Sequence, residues 1–226
     1  SGSGPGNGDP VSQGVLFDPW FTSAEQVPGQ VLVAREVELH TPYSETVEKY
    51  GLKLYKFHAQ AGRNLLCQLT PADPAGPYSI FAAWGYESSP ARFDKRSMAR
   101  HLRPAYELLM TPTSEGDYYF LVFAIGLAGS QETYQIQFDY VDQYVVSLSP
   151  PQGGNLGDVT LALEGSLFQS GMEVRLAGPG GTAIIAHEIL VPDSTKLHAR
   201  MNLRGALAGP YTLEIKWPGG VSSFLF

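Results

Sequence analysis

Polar and apolar residues alternate along most of the C-terminal third of the chain. The alternation covers residues 157–164, 172–176, 197–203 and 211–217. Because successive side chains of a β-strand point to opposite faces of its sheet, each stretch predicts a strand that buries one face and exposes the other. Turn-forming residues separate these stretches at 153–155, 178–181, 192–193 and 209–210. Short strands at this spacing predict an antiparallel β-sandwich.

The preceding part of the chain carries the same kind of pattern. Residues 132–140 alternate most regularly, with Tyr134, Ile136 and Phe138 on one face. Residues 117–125 are apolar on both faces, which predicts a central strand covered on both sides. The strands predicted here are 31–39, 52–60, 64–70, 78–86, 105–110, 117–125 and 132–140. The fold class predicted for the whole chain is all-β, with two consecutive antiparallel β-sandwich domains.

Changes of composition set the predicted domain limits. Residues 1–14 are rich in glycine and serine, which predicts a flexible linker or a cloning remnant. Residues 15–143 are assigned to the first sandwich, on which three early aromatic residues are expected to dock: Phe17, Trp20 and Phe21. Residues 144–226 are assigned to the second. The Pro150-Pro151 pair favours a stiff, extended backbone, so we expect the two domains to hold a limited range of orientations.

The most polar stretch of the chain is residues 87–104. It predicts a long loop between two strands, with one helical turn near Met98–Leu102. Pro104 would end any helix at that point, because proline lacks the backbone N–H that a helix needs.

The overall charge limits the kinds of partner. The 226 residues carry a net charge of −7, and Lys or Arg residues do not occur in runs. Nucleic acid and anionic membrane surfaces would be repelled overall, so neither is an expected partner. Since no stretch of about eighteen apolar residues occurs, we also expect no membrane span.

A single cysteine, Cys67, rules out an intrachain disulfide. It is in phase with the apolar Leu65 and Leu69, so it is interpreted as a small core residue; a reactive thiol is the alternative. The chain also has no Asn-x-Ser/Thr glycosylation acceptor. A secreted protein with these properties is typical of bacteria, so we expect a bacterial secreted or cell-surface location.

Neither a catalytic motif nor a dense metal-ligand cluster appears in the sequence. His187-Glu188 begins like a zinc-protease motif, but Val191 stands where the second histidine is required. His58 and His198 lie on the polar faces of their predicted strands. Calcium needs a loop dense in oxygen ligands, which neither close carboxylate pair provides: Glu45 with Glu48, and Asp139 with Asp142. We therefore predict a protein that is not an enzyme and has no cofactor, with calcium left as an open alternative.

Aromatic residues give the best indication of a binding site. Trp84 and Tyr86 share a face of one predicted strand with Ile80 and Ala82, and that strand opens into the polar loop. Aromatic rings stack on sugar faces, while neighbouring charges orient hydroxyl or carboxyl groups. The candidate binding residues are Trp84, Tyr86, Arg92 and Phe93. In the alternative interpretation, Trp84 is the core tryptophan of a sandwich and residues 92–96 form a solvated loop. Trp217, in phase with apolar neighbours, is expected in the core.

The second predicted domain resembles an IPT/TIG-type immunoglobulin-like domain. Residues 146–176 resemble the sequence pattern of that family, including Ser149-Pro150, Gly153-Gly154, Gly165, Phe168 and Gly171. Residues 208–215, Ala-Gly-Pro-Tyr-Thr-Leu-Glu-Ile, are similar to its late strand. The resemblance implies an immunoglobulin-like sandwich over nearly all of residues 145–226.

The first predicted domain is similar to the bacterial pre-peptidase C-terminal domain. The matching segments are residues 54–65, 81–86 and 112–123. The resemblance implies a jelly-roll-like sandwich of the kind appended to secreted bacterial proteins, often peptidases. Some of these non-catalytic domains bind calcium or polymeric substrates, but this sequence lacks the expected acidic cluster.

Three functional hypotheses follow from the sequence. The first is a structural or interaction module pair that spaces, presents or anchors neighbouring domains of a longer chain and contacts partner proteins. The second is an accessory module of a secreted hydrolase that binds an extracellular polysaccharide or fibrous protein; an exposed Trp84 or Tyr86 would favour it. The third is an enzyme, which would require a deep pocket joining histidine, serine or carboxylate groups.

Overall fold

The computed structural model describes residues 32–74, 76–97, 103–125, 129–178, 181–217 and 220–225. These belong to one compact unit, Leu32–Phe226. Several predictions fall outside the described residues: the linker at 1–14, the docking of Phe17, Trp20 and Phe21, and the helical turn near Met98–Leu102.

The described residues form seventeen β-strands and no α-helix. The first nine are β1 (Arg35–Glu36), β2 (Tyr43–Glu48), β3 (Leu52–Ala59), β4 (Leu65–Pro71), β5 (Tyr78–Trp84), β6 (Lys95–Ser97), β7 (Tyr106–Met110), β8 (Gly116–Ala124) and β9 (Gln131–Tyr140). The other eight are β10 (Tyr144–Ser149), β11 (Asp158–Ser166), β12 (Glu173–Ala177), β13 (Ala183–Ile185), β14 (Glu188–Asp193), β15 (Lys196–Asn202), β16 (Thr212–Trp217) and β17 (Gly220–Leu225). In this part of the chain no helix is long and apolar enough to span a membrane.

The strands form two consecutive β-sandwiches, which confirms the predicted fold class. The first pairs a sheet of order β1-β3-β8-β5-β6 with a sheet of order β2-β9-β4-β7. The second pairs β10-β11-β15-β14 with β13-β12-β16-β17. Neighbouring strands are antiparallel, apart from the short parallel pair of β1 and β3. Each sandwich encloses its own group of buried apolar side chains.

The first core is rich in aromatic rings. Phe138 of β9 packs edge-on against Phe120 of β8, with ring centroids 5.0 Å apart. The hydroxyl groups of Tyr55 and Tyr134 are hydrogen-bonded at 2.5 Å, so these buried polar atoms are satisfied. Cys67 is fully buried here, and burial raises the pKa of its thiol, which confirms its role as a core residue. The face of β9 that alternation predicts to be buried, with Tyr134, Ile136 and Phe138, is buried in the structure.

Strand β8 is covered on both faces, as its uninterrupted apolar sequence predicts. Phe120 and Val122 belong to the core between the sheets. Leu121 points the other way and packs with Leu54 and Phe81 in a smaller outer cluster. The central position of β8 in its sheet explains why neither face is polar.

The second core follows the predicted alternation closely. Leu213, Ile215 and Trp217 of β16 are buried, while Lys216 between them is exposed. Trp217 stacks on Phe168 with ring centroids 5.5 Å apart and planes 8° from parallel. Gly165 makes room for this pair, because a Cβ there would lie 2.9 Å from Phe168 Cζ and 2.0 Å from the carbonyl oxygen of Tyr144.

Some strands differ from those that the sequence pattern predicts. β2 exposes or half-exposes every residue except Val47, since it is an edge strand, so its alternation is weak. β6 is a three-residue edge strand inside the stretch predicted to be a loop. The predicted strand at 31–39 shortens to the two residues of β1. β17 pairs with β16 at the end of the chain, where no strand is predicted.

The Pro150-Pro151 pair does not connect the two sandwiches, so it does not restrict their orientation as predicted. Pro150-Pro151 follows the end of β10, so it lies inside the second sandwich rather than between the two. The connection consists of residues 141–143, between β9 and β10. The assigned limits, 15–143 and 144–226, stay predictions.

The sandwiches are joined by a partly buried polar network, which we call the junction network: Gln68, Arg103, Glu107 and Tyr144. Glu107 of β7 is 5% exposed. Its Oε1 accepts hydrogen bonds from Gln68 Nε2 at 2.9 Å and from the Tyr144 hydroxyl at 2.7 Å, and its Oε2 accepts one from Arg103 Nη1 at 2.9 Å. Arg103 also donates to the Val145 carbonyl at 3.0 Å, and its guanidinium lies 4.4 Å from the centre of the Tyr144 ring. Tyr144 and Val145 belong to the second sandwich, so the network ties the two together.

Candidate functional site

The candidate residues lie on and after the end of β5, in a turn held by backbone hydrogen bonds. Gly85 adopts a φ of 75°, which glycine tolerates without strain, and its N–H donates to the Asp117 carbonyl at 2.8 Å. Further along, Ser89 and Arg92 exchange backbone hydrogen bonds at 2.8 and 3.1 Å. The Asp94 N–H returns the chain to β5 by donating to the Ala82 carbonyl at 2.8 Å. The loop therefore has a defined conformation.

Trp84 is 47% exposed at the end of β5. Its indole Nε1–H donates to the carbonyl of Glu115, the residue immediately before the neighbouring strand β8, at 3.3 Å. Gly116 lies against the same edge of the ring: a Cβ there would approach Nε1 to 3.1 Å. The edge of the indole is thus anchored while nearly half of the residue's surface contacts solvent. The alternative interpretation, a core tryptophan, is wrong because β5 runs past the end of the core at this residue.

Asp94 connects the aromatic residues of the loop. Its Oδ2 accepts a hydrogen bond from the Trp84 backbone N–H at 2.8 Å. Its Oδ1 accepts one from the Tyr86 hydroxyl at 2.6 Å, and this bond raises the pKa of Tyr86. The guanidinium of Arg92 lies 4.0 Å from the centre of the Tyr86 ring, a cation–π contact. Asp94 therefore links the backbone of Trp84 to the side chain of Tyr86, and Arg92 joins them through the Tyr86 ring.

Phe93 points elsewhere. Its ring packs on Phe81 with centroids 5.2 Å apart, and it belongs to the outer apolar cluster that covers the sheet of β8. Arg96 lies over the same ring at 5.8 Å. Phe93 thus helps to cover the sheet, and this packing separates it from the group around Asp94.

Sequence reasoning missed Asp94, Glu115 and Gly116. Asp94 carries a signal, since it is the only carboxylate between Ser88 and Met98. Glu115 acts through its backbone carbonyl, which no side-chain pattern reveals. Gly116 is the first residue of β8, and in the sequence it reads only as a turn residue.

The metal and histidine predictions have separate outcomes. Among the described residues, no group of three or more His, Cys, Asp or Glu side chains could hold a metal ion. His58 faces solvent as predicted, with its Nδ1 2.8 Å from Asp117 Oδ1. The pKa of Asp117 is lowered mainly by its hydrogen bond with His58, and next by its hydrogen bond with Lys56.

A second site lies where the sandwiches meet. This junction cleft has a volume of about 570 Å³ and is lined by Lys95, Ser97, Leu109, Ser147, Glu164 and Lys196, among others. Its buried carboxylate, Glu107, is already occupied by three donors in the junction network. No histidine is among the described residues that line it.

Comparisons with known proteins give structural likeness only. Neither protein-family models nor curated proteins give a match. Among solved structures, the pre-peptidase C-terminal domain of a collagenase from Bacillus anthracis is similar, with 14% identity, a TM-score of 0.40, and 49% of this chain and 98% of that one covered.

Two other solved structures are similar over a comparable share of the chain. CorA, a surface-associated copper-binding protein of Methylomicrobium album BG8, has 9% identity and a TM-score of 0.35, covering 49% of this chain and 98% of that one. PliG, a periplasmic inhibitor of g-type lysozyme from Salmonella Typhimurium, has 15% identity and a TM-score of 0.30, covering 48% of this chain and 98% of that one.

Proposed function

We propose that this chain is a non-catalytic structural and interaction module pair of a bacterial secreted or cell-surface protein. Its role is to space, present or anchor neighbouring domains and to contact partner proteins. In this proposal the first domain is of the pre-peptidase C-terminal type and the second is an IPT/TIG-type immunoglobulin-like domain, with limits at residues 15–143 and 144–226. The junction network is the observation that carries the proposal.

A spacer must transmit position from one end to the other, so its parts must not rotate freely. Residues 141–143 are too short to let the sandwiches separate far while remaining connected, since an extended residue spans at most about 3.6 Å. Two further hydrogen bonds reinforce the contact: Asn64 Nδ2 donates to the Val141 carbonyl at 3.0 Å, and Ser166 Oγ donates to the Asp142 carbonyl at 2.8 Å. The connection is therefore held by side chains from both sandwiches.

Amide nitrogen relaxation in solution tests this role. If the pair acts as a rigid spacer, the amides of both sandwiches report one common rotational correlation time, that of the whole chain. Two separate and shorter correlation times would show independently tumbling domains, and would contradict the proposal.

The exposed Trp84 supports a second candidate function, an accessory module that binds a polysaccharide or a fibrous protein for a secreted hydrolase. The indole edge is fixed by Glu115 and Gly116, so little side-chain entropy would be lost when a ligand stacks on the ring. Polar groups follow in the same loop: Tyr86, whose hydroxyl is hydrogen-bonded to Asp94, and Arg92, which lies over the Tyr86 ring.

Sedimentation with insoluble polysaccharides and with collagen-like fibres tests the second function. We expect the intact protein to sediment with one of these polymers and Trp84→Ala to stay in solution. Tyr50→Asn is the matched control, because Tyr50 is also an exposed aromatic residue, at 60%, and asparagine tolerates its positive φ of 63°. Equal binding by all three proteins would reject Trp84 as the contact.

A further inference from the structure

We propose that the junction cleft is a subsite for an uncharged saccharide and that it extends the binding surface around Trp84. This inference rests on the second candidate function and deepens it, because it names the class of ligand and adds a second contact surface. Residues of both sandwiches line the cleft, including Lys95 of β6, Glu164 of β11 and Lys196 of β15. Its volume of about 570 Å³ lies within the range of small-ligand sites.

The first argument is that the charges lining the cleft cancel. Three carboxylates and three cationic side chains are found there: Asp94, Glu107 and Glu164, and Lys95, Arg96 and Lys196. A lining without net charge does not attract ions of either sign over a distance. An uncharged ligand also avoids the cost of removing an ion from water. The balance of charge therefore favours a ligand that is polar but uncharged.

The second argument is that donors and acceptors of hydrogen bonds share the cleft. Lys95 Nζ donates to the Leu109 carbonyl at 2.9 Å, a partly buried contact in a residue that is exposed as a whole, and two of its three N–H donors remain. Burial lowers the pKa of Lys95, while Glu164 opposes this effect and Lys196 adds to it, so the three charged groups lie near one another.

These charged groups do not neutralise each other directly. In the part of the chain that the structure describes, no ion pair within 4.0 Å joins Glu164 to Lys95 or to Lys196. A hydroxyl group can donate to a carboxylate and accept from an ammonium. A ligand with several hydroxyl groups can therefore satisfy both kinds of group in one cleft.

The third argument is that edge strands of three sheets line the cleft: β6, β7 and β10. Val146 of β10 is a bulge, because the register with β11 passes from the pair of Val145 and Gly165 to that of Ser147 and Glu164. Edge strands and bulges leave backbone N–H and C=O groups without a partner in the sheet. The lining thus offers uncharged donors and acceptors beside the charged ones.

The cleft meets the surface around Trp84 at Asp94. Asp94 lines the cleft, and its carboxylate accepts hydrogen bonds from the Trp84 backbone N–H at 2.8 Å and from the Tyr86 hydroxyl at 2.6 Å. One residue therefore borders both surfaces. Since aromatic rings stack on sugar faces, we expect one oligosaccharide to contact the indole and the cleft together.

An amide NMR titration of the whole chain tests the proposal. The uncharged probes are cellohexaose, maltohexaose and the hexamer of N-acetylglucosamine, and a hyaluronan hexasaccharide is the charged comparison. With at least one uncharged probe we expect saturable shifts in two regions, residues 84–86 and the cleft residues 95–97, 146–147, 164–165 and 195–196.

Shifts at residues 84–86 alone would overturn the cleft subsite and leave the second candidate function standing. Shifts in neither region would reject both. Tighter binding of hyaluronan than of every uncharged probe would overturn the ligand class.

Two matched double variants provide the decisive comparison. Glu164→Gln with Lys196→Gln changes two exposed residues that stand opposite each other in β11 and β15, and it leaves the net charge unchanged. Glu173→Gln with Lys216→Gln does the same for an opposed pair in β12 and β16, on the other sheet. The first should weaken oligosaccharide binding about five-fold or more by removing charge-assisted hydrogen bonds. The second should leave binding unchanged, and equal dissociation constants for the two variants would contradict a subsite in the cleft.

Discussion

At the scale of single residues, the exposed position of Trp84 depends on a glycine in the neighbouring strand. Gly116 has a φ of 131°, a backbone conformation that residues with a Cβ rarely adopt. It also leaves the space that the indole edge occupies while Nε1–H donates to Glu115. The side chain with binding chemistry is therefore placed by two residues that contribute only backbone.

Gly116→Ala tests this dependence. We expect a loss of about 1–3 kcal/mol in the free energy of unfolding from backbone strain. We also expect altered tryptophan fluorescence as the indole moves away from the new methyl group. Gly154→Ala is the control, since a Cβ there meets nothing within 4 Å, and it should change neither property. Unchanged fluorescence in Gly116→Ala would contradict the described placement of Trp84.

The buried tyrosines predict how stability responds to high pH. Burial raises the pKa of Tyr55, Tyr78 and Tyr134 far above the ordinary value of about 10. Because the folded state holds the phenol protons more tightly than the unfolded state does, the contribution of these tyrosines to stability is complete below pH about 10. It is lost as the pH rises further. Each should lower the free energy of unfolding by about 1.4 kcal/mol per pH unit in that range.

Parallel measurement of tyrosinate absorbance and circular dichroism checks this pH response. Tyr55, Tyr78 and Tyr134 should ionise only as the native circular dichroism spectrum disappears. Ionisation of all twelve tyrosines before any loss of native signal would contradict the burial described.

At the scale of strands, predictability follows from where each strand lies in its sheet. β16 and β9 each separate a buried face from a polar one, so their alternation identifies them. β2 and β6 are edge strands with few buried residues, and nothing in their sequence distinguishes them from loop. Side-chain pattern records burial, so it fails where a strand is held mainly by backbone pairing.

The candidate site shows the same limit. Alternation along β5 places Trp84 on the core-facing side, which fits the buried Ile80 and Ala82 but not the exposed Trp84. Where the core ends depends on the length of the facing sheet, which a local pattern does not contain. The contact of Asp94 with Trp84 and Tyr86 depends likewise on the loop's closure onto β5.

Truncations in β16 test the assigned faces. Leu213→Ala and Ile215→Ala should each lower the free energy of unfolding by about 2–5 kcal/mol, because both side chains are fully buried and leave a cavity. Lys216→Ala, in the same strand but exposed, should change it by no more than about 0.5 kcal/mol. Equal losses for the buried and exposed positions in urea melts would reject the assignment.

At the scale of the whole molecule, one carboxylate, Glu107, links the two sandwiches at their boundary. The Glu107 side chain is almost inaccessible to solvent. It accepts hydrogen bonds from Gln68 in β4, from Arg103 just before β7 and from Tyr144 in β10. A buried charge of this kind is costly unless every lone pair finds a donor. The sequence shows Glu107 only as one polar residue in a predicted strand, so its role depends on contacts distant along the chain.

Glu107→Gln should lower the free energy of unfolding by about 2–3 kcal/mol, because it removes the charge from three hydrogen bonds and turns one acceptor into a donor. Glu214→Gln is the matched control: Glu214 also pairs with an arginine, Arg175, but near the surface. It should cost less than about 1 kcal/mol. A smaller effect at Glu107 than at Glu214 in thermal or urea unfolding would show that the junction network contributes little.

The most direct test of a fixed junction is the distance distribution between spin labels in the two sandwiches. Labels at Thr70→Cys and Lys216→Cys suit this purpose, because both positions are exposed and the fully buried Cys67 will not react. Pulsed electron–electron double resonance should give a single narrow distance distribution centred on the separation in the structure. This distribution should broaden when Glu107→Gln is introduced. A broad or multimodal distribution in the protein with Glu107 intact would contradict the account.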